Sequence, residues 1–479
     1  MKFPVRHPAW FVTCAAALIL LLELFYIPGG SVDIESPGFL LHYNMSRPFW
    51  ETIFDPYRND WGLYQARELS YLFDWFDARL IGSGIRHGIV FFHSATAWCM
   101  LVAVVGLQQY GLRTLFPEMK SRITTLLSLW FILLPCCTNN SFFRSSKYGC
   151  ALVFTAVALL SWSLLIRHDE CVEKRRIAVI AVLLVIAGLF DRQGAFFTAA
   201  YTGGAGLLLF LLQLAKSKRF GGFCVAWNDL KLLRMLTLGG LAATLFGMLY
   251  NLWLAPYLIF RLNGYFPSFS FQNLGRLPWF EILPEGCRFI SANTGFALTG
   301  MLSSVAGFLL LAGIAAAFFL CWYRTRDERS LLAGVVFLLV WAAMCLAATA
   351  MTGRHPPLRL PQVMTGVYFL PAWALLIVFA GGAADALRRV GIHLPVLEIF
   401  ASVAIAIHLL MTVLPQAFPY GRLQRPELPQ EVHLLRRALK DPSYDYSRDL
   451  LNPRTERLIE FFRAGNDRPA SCSAEKSEP

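Results

Sequence analysis

Charged residues are scarce in this sequence. They make up 15% of the 479 residues, whereas 56% are hydrophobic and the mean hydropathy is +0.51. Soluble domains carry about a quarter charged residues, so this shortage argues against a water-soluble globular protein. Long apolar runs separated by short polar segments indicate a polytopic membrane protein instead.

Several chemical signatures are missing as well. The sequence has no glycine-rich phosphate loop, which argues against an ATPase, and neither a GxSxG nor an HExxH motif. The eleven cysteines show no CxxC or Cys/His spacing that would predict a zinc site, and most lie inside apolar runs as small buried hydrophobes. No ligand set for a metal is visible, so metal dependence stays open.

The net charge of +12 is the strongest bias in the composition. Such a charge is compatible with nucleic-acid binding, but the basic residues cluster at the ends of apolar segments. Basic clusters in these positions set the orientation of membrane helices. We therefore expect membrane lipids as partners and no nucleic acid.

Eleven apolar segments predict an all-α protein with about eleven transmembrane helices. The N-terminal sequence "MKFPVRHPAW" is basic and leads into the first of them, which we interpret as an anchor rather than a cleaved signal peptide. The predicted spans are residues 9–28, 88–108, 122–137, 149–166, 177–190, 195–215, 235–257, 295–322, 330–352, 362–382 and 394–415.

The distribution of lysine and arginine predicts a cytoplasmic N-terminus, with short basic segments inside and long loops outside. Residues 1–415 then form a transmembrane domain with two large outer loops, 29–87 and 258–294. The polar tail, 416–479, follows an odd number of spans and is expected on the outer, periplasmic side. A miscount by one span would move it to the cytoplasm.

The tail itself contains two amphipathic stretches. Their periodicity predicts helices over 427–440 and 453–464.

The first outer loop contains "NDWGLYQARELSYLFDWFDARLI" (59–81), which predicts an amphipathic helix at the membrane surface. Glu68 breaks the pattern because it points toward the aromatic side. The acidic stripe has two interpretations: a solvated face, or the source of a general base close to the lipid headgroups. The apolar face comprises Trp61, Leu69, Leu72, Phe73, Trp75 and Phe76, with Tyr64 at its border, and the polar stripe comprises Asp60, Arg67, Ser70, Asp74 and Asp77.

Two short segments also place charges at predicted outer turns. "FDRQG" (190–194) is either a turn with a locally paired Asp191 and Arg192 or a site where Arg192 grips a phosphate. "TNNSFFRSSKYG" (138–149) brings Arg144 and Lys147 to an outer loop, either as a simple polar loop or as a phosphate contact.

Two further outer segments carry candidate ligand contacts. "GRHPPLRLP" (353–361) holds Arg354, His355 and Arg359, whose guanidinium groups suit forked binding of a pyrophosphate. The loop 258–294 carries Trp279 and either covers a cleft or forms a packed outer cap.

The layout resembles the GT-C superfamily of membrane glycosyltransferases. These enzymes have many spans, a long first outer loop with a catalytic carboxylate beside a juxtamembrane helix, and a polyprenyl-phosphate sugar donor. The resemblance is carried by residues 58–81, by "FDRQG" and by "GRHPPLRLP". Many members show two consecutive acidic residues, where this chain has Asn59 and Asp60.

The resemblance implies an inverting transferase in a bacterial inner membrane that acts on a glycan, lipid or protein acceptor. Asp60 is the first choice for the catalytic base and Asp55 the second. Some relatives use a divalent ion. The residues expected to bind substrate are Arg192, Arg354, Arg359, His355, Lys147, Arg144, Glu68, Trp61, Tyr64 and Trp279.

Two other classes of protein remain open. A transporter or flippase of a lipid-linked glycan would use the same basic residues without covalent chemistry. A membrane scaffold without catalytic activity would depend on its tail instead.

Overall fold

The computed structural model describes residues 36–55, 66–89, 94–116, 119, 121–133, 145–166, 170–220, 231–266, 279–294, 300–352, 370–392, 427–446 and 453–464. Every regular element in these ranges is helical, which confirms the predicted all-α class. Helices satisfy their backbone hydrogen bonds internally, as the interior of a bilayer requires.

Sixteen α-helices lie in the described ranges. They are α1 Ser36–Asn44, α2 Phe49–Ile53, α3 Glu68–Arg86, α4 Ala95–Leu115, α5 Ser121–Leu133, α6 Ser145–Ile166, α7 Glu170–Phe190, α8 Arg192–Phe220, α9 Lys231–Leu249, α10 Ala255–Asn263, α11 Trp279–Thr294, α12 Gly300–Thr325, α13 Glu328–Thr352, α14 Leu370–Arg389, α15 Glu427–Lys440 and α16 Pro453–Arg463. A π-helical turn, Tyr250–Leu254, joins α9 to α10.

Seven helical segments among the described residues are long and apolar enough to cross a membrane. The predicted first and eleventh spans, 9–28 and 394–415, lie outside the described residues, so the count of eleven stays a prediction. The seven segments are Ala95–Leu115, Ser145–Leu164, Gly194–Leu214, Leu233–Asn263, Ser304–Thr325, Glu328–Leu346 and Leu370–Arg389.

Several helix boundaries differ from the predicted spans. The second span was expected from residue 88, but α4 begins at Ala95 because the Ser94 hydroxyl accepts a hydrogen bond from the Ala97 amide and caps the helix. The third was expected over 122–137; α5, Ser121–Leu133, covers its first part, and residues 134–137 lie outside the described ranges.

The predicted second outer loop, 258–294, is also largely helical. It contains the end of α10 and the whole of α11, which packs against α12 and α13. Part of this segment is therefore a packed cap. Its residues 267–278 lie outside the described ranges.

Arginines of the predicted inner segments lie at one end of the bundle, which we call the basic end. The last turns of α4, α6, α12 and α14 and the first turn of α13 meet there around a small cavity. Arg389 at the end of α14 binds Asp327 at 3.4 Å and Asp385 at 2.8 Å. These contacts join α14 to the turn between α12 and α13.

The opposite end, which we call the α3 end, holds the first outer loop and the C-terminal tail together. Helices α15 and α16 lie where the sequence predicted them, and they pack against α1 and α3 around a second apolar cluster. The Arg463 guanidinium ties the two tail helices by donating to the carbonyls of Ala438, Asp441 and Tyr444. The tail is therefore part of the same packed unit as the first loop.

The close contact between α11 and α12 requires a glycine at position 307. A Cβ atom at Gly307 would lie 1.8 Å from the Ser291 carbonyl oxygen, so the two helix backbones touch there. We expect Gly307→Ala to lower the free energy of unfolding by about 1–3 kcal/mol or more, because the helices must separate. Reversible unfolding in mixed micelles measures this change.

Gly313 on the same helix provides the matched control. A Cβ at this position would have no neighbour within 4 Å among the described atoms. Since alanine is the better helix former by about 1 kcal/mol, Gly313→Ala should leave stability unchanged or raise it. Equal losses in the two variants would show that the α11–α12 contact is not this close.

Candidate functional site

Helix α3 presents its polar face to the interior of the protein. Ser70, Asp74 and Asp77 are 1–3% exposed and face the other helices, so the interpretation of a solvated acidic face is wrong. The apolar residues Leu72 and Phe76 are 36% and 52% exposed instead. An apolar outer row suits a helix that lies at a membrane surface.

Asp77 joins α3 to the start of α4. Its carboxylate accepts hydrogen bonds from the Ser94 hydroxyl, from the Thr96 hydroxyl at 2.6 Å and from the Thr96 amide at 3.0 Å. Burial raises the pKa of Asp77, while these donors act in the opposite direction. Because Ser94 also caps α4, Asp77 fixes where this helix begins.

Asp74 lies one turn away and faces α6. The Ser145 hydroxyl donates to one carboxylate oxygen at 2.5 Å and the Ser70 hydroxyl lies 3.4 Å from the other. Burial raises the pKa of Asp74 to about 7, although the Ser145 hydrogen bond and the charge of Arg67 lower it.

A buried ionic cluster lies beside this carboxyl group. The Asp191 carboxylate, in the turn between α7 and α8, binds the Lys147 ammonium at 2.7 Å and the Arg67 guanidinium at 3.6 Å. Arg67 also donates to the Tyr71 hydroxyl at 3.1 Å. Side-chain exposures of 2–10% keep the three charges out of water, where each needs a partner.

This cluster gives Asp191 two long-range partners and leaves both interpretations of "FDRQG" open. The described charge partners of Asp191 are Lys147 and Arg67, which come from distant parts of the chain. Arg192 is the first residue of α8, but its side chain lies outside the part that the structure describes. Among the described contacts, two cations therefore share the carboxylate of Asp191.

Asp55 belongs to a second polar cluster, which joins the first loop to α10. Its carboxylate binds Arg47 at 2.5 Å and accepts from the Tyr265 hydroxyl at 2.7 Å. Arg47 also donates to Asn263 at 3.0 Å. Both carboxylate oxygens therefore have donors, and the role of Asp55 as a base stays a prediction.

Glu68 is buried at the start of α3, with 8% of its surface exposed. It lies within hydrogen-bonding reach of Tyr250, which opens the π-helical turn between α9 and α10. A π turn shifts the register of the residues that follow it. Glu68 therefore contacts the longest candidate span, and its predicted role in substrate binding is not tested.

The remaining predicted site residues cannot be compared with the structure. Trp279 is the first residue of α11, and its side chain is outside the described part. The residues that lie outside the described ranges are Asp60, Trp61, Tyr64, Arg144, Arg354, His355 and Arg359.

Sequence reasoning assigned no site role to Arg67, Tyr71 or Ser145. Arg67 stands on the same helical stripe as Asp74 and Asp77, which is the signal that could have linked it to them. Ser145 gave no comparable signal, because only folding brings it to Asp74. Among the described residues, no three His, Cys, Asp or Glu side chains come together as a metal site.

Comparisons with protein-family models, with curated proteins and with solved structures find no match to this chain. The likeness to membrane glycosyltransferases therefore depends on the layout of the chain and on the residues named above.

The ionic cluster predicts strong coupling between Asp191 and Lys147. Asp191→Asn leaves two buried cations without their counter-charge and should lower the free energy of unfolding by about 3–5 kcal/mol. Lys147→Met should also destabilise. The double variant should lose about 1–3 kcal/mol less than the sum of the two single variants, measured by reversible unfolding in mixed micelles. If the stability losses of the two single variants simply add in the double variant, Asp191 and Lys147 do not interact directly.

The raised pKa of Asp74 predicts stability that depends on pH. Since the folded state holds this proton more tightly than the unfolded state, the contribution is fully present below about pH 4 and is lost as the pH rises to about 7. Asp74→Asn removes that contribution.

The melting temperatures of wild type and Asp74→Asn between pH 5 and pH 8 test this expectation. The melting temperature of Asp74→Asn should rise relative to that of the wild type as the pH rises. Glu460→Gln, which alters an exposed carboxylate on α16, is the control and should follow the wild type. A constant difference between wild type and Asp74→Asn at every pH would contradict a carboxyl group that titrates near 7.

Proposed function

We propose that this protein is an inverting membrane glycosyltransferase of the GT-C type. It moves a sugar from a polyprenyl-phosphate donor to a glycan, lipid or protein acceptor at the periplasmic face of a bacterial inner membrane. The observation that carries the proposal is the meeting of the first loop with two distant turns, through Asp74 and Ser145 and through Arg67, Asp191 and Lys147.

Charge supports a phosphate-bearing substrate. The described part of the cluster brings the cations Arg67 and Lys147 to the carboxylate of Asp191, and burial raises the pKa of the neighbouring Asp74 to about 7. A departing lipid phosphate carries negative charge, which fixed cations stabilise best where water is excluded. Arg67, with 10% of its side chain exposed, is the described cation nearer to solvent.

The membrane-facing surface supports a lipid donor. Leu72 and Phe76 are exposed on the face of α3 that points away from the cluster, together with Leu80 at 47%. An apolar outer row suits a helix at a membrane surface, where a substrate with a hydrocarbon tail and an anionic head would be found. This arrangement is the reason for preferring a lipid-linked donor to a soluble one.

The proposed roles of the predicted residues follow from the resemblance. Asp60 deprotonates the acceptor hydroxyl while Arg192 and Arg354, helped by Arg359 or Lys147, neutralise the phosphate. Trp61, Tyr64 and Trp279 shape the sugar site. Lys147 lies 2.7 Å from Asp191, whereas Arg67 lies 3.6 Å from it and is more exposed. We therefore assign the share of Lys147 in the phosphate contact to Arg67.

The test uses solubilised membranes with a panel of radiolabelled polyprenyl-phosphate sugars. Wild type should release free polyprenyl phosphate and label an endogenous acceptor. Asp60→Asn should slow both products by about 10² to 10⁴, the usual contribution of a general base. Near-normal transfer by this variant would remove Asp60 from the proposed role.

Two controls keep the outcome interpretable. Glu460→Gln replaces an exposed carboxylate on α16. This variant should transfer the sugar at the wild-type rate. A parallel assay in proteoliposomes follows the same donor across the bilayer. Donor that crosses without release of polyprenyl phosphate would support a flippase and contradict the transferase.

A further inference from the structure

Two cysteines from different helices face each other where α11 packs against α13. The thiols of Cys287 on α11 and Cys345 on α13 lie within reach of each other. They are separated by 57 intervening residues in the sequence, so only folding brings them together. Neither residue belongs to the cluster around Asp191.

The helix backbones are in contact at the same point. A Cβ atom at Gly286, next to Cys287, would lie 2.4 Å from the Cys345 carbonyl oxygen and 2.9 Å from its Cα atom. A disulfide needs Cα atoms about 4.4–6.8 Å apart, and the contact of the Gly286 and Cys345 backbones brings the neighbouring Cys287 close to Cys345.

The two sulfur atoms differ in access. Cys345 is 3% exposed, whereas Cys287 is half-buried. An external oxidant therefore reaches Cys287 first, and Cys345 can react only with a group already bonded to Cys287. This asymmetry is the arrangement of an attacking thiol and a resolving thiol.

We propose that Cys287 and Cys345 are a redox-active pair that forms a disulfide between α11 and α13. The Cys287 thiolate attacks a small-molecule or protein disulfide, forms a mixed disulfide and releases one thiol. Cys345 then loses its proton and attacks the Cys287 sulfur, which releases the second thiol. Two thiols of this chain are oxidised and one external disulfide is reduced.

The two cysteines lie nearer to one end of the bundle, so the formation of the disulfide depends on which compartment that end faces. Cys345 lies 17 residues after Glu328 at the basic end, a rise of roughly 26 Å along α13. The pair is thus nearer to the α3 end. Disulfides persist in oxidising compartments, so the bond forms when the α3 end faces such a compartment. Once formed, it prevents α11 from moving away from α13.

The experiment treats purified full-length protein with glutathione disulfide, blocks the remaining thiols and digests with trypsin. Cys287 and Cys345 then occupy the peptides 277–288 and 330–354, which hold one cysteine each. We expect these peptides to appear cross-linked after oxidation and separate after reduction. Recovery of both with blocked free thiols would overturn the proposal.

Three variants test the order of the two steps. Cys345→Ala should leave Cys287 as a stable glutathione adduct, and Cys287→Ala should leave Cys345 unmodified because it is buried. Cys321→Ala, which removes another buried thiol on α12, should leave the cross-link unchanged. An adduct on Cys345 in the Cys287→Ala variant would contradict the attacking and resolving roles. The assay requires no sugar transfer, so its result is independent of the proposed function.

Discussion

The buried carboxylate of Asp191 is the constraint that organises the α3 end of the protein. It binds Lys147 and Arg67, whose side chains are only 4% and 10% exposed. Leaving any one of these charges unpaired costs several kcal/mol, so the start of α3, the start of α6 and the turn before α8 must come together. The cluster therefore fixes a tertiary contact that apolar packing alone would not specify.

The orientation of α3 follows from this contact. With Arg67 held at its first turn, the stripe that carries Asp74 and Asp77 turns toward α6 and α4, and the row of Leu72 and Phe76 turns outward. On the other side, the tail helices bury Ala78 and Ile81. Helix α3 is thus held by polar contacts on one face and by apolar contacts on another.

The period of α3 was predictable from the sequence, but the side on which its carboxylates lie was not. A helical wheel assigns residues to faces, and it cannot distinguish a solvated stripe from one that meets donors contributed by distant segments. Ser145 and Lys147 look like parts of a polar loop until folding places them against Asp74 and Asp191. The partners of a buried charge are determined by tertiary structure.

Helix boundaries illustrate the same limit. Apolar content located α6, α8, α12 and α13 to within a few residues, because burial and membrane crossing both depend on it. It misplaced the start of α4, where Ser94, which contacts Asp77, caps the N-terminus of the helix six residues after the predicted start at residue 88. It also missed α11, whose Pro284 and charged residues are typical of a loop.

Three described carboxylates of the first loop, Asp55, Asp74 and Asp77, are already engaged, and this favours Asp60 in the catalytic proposal. Asp55 is bound by Arg47 and Tyr265, and the two on the inner stripe of α3 are hydrogen-bonded in the interior. The chain is anchored at Asp55 before position 60 and at Arg67 after it. Because five residues span at most about 18 Å, the anchor at Asp55 limits how far from this cluster a base at position 60 can act.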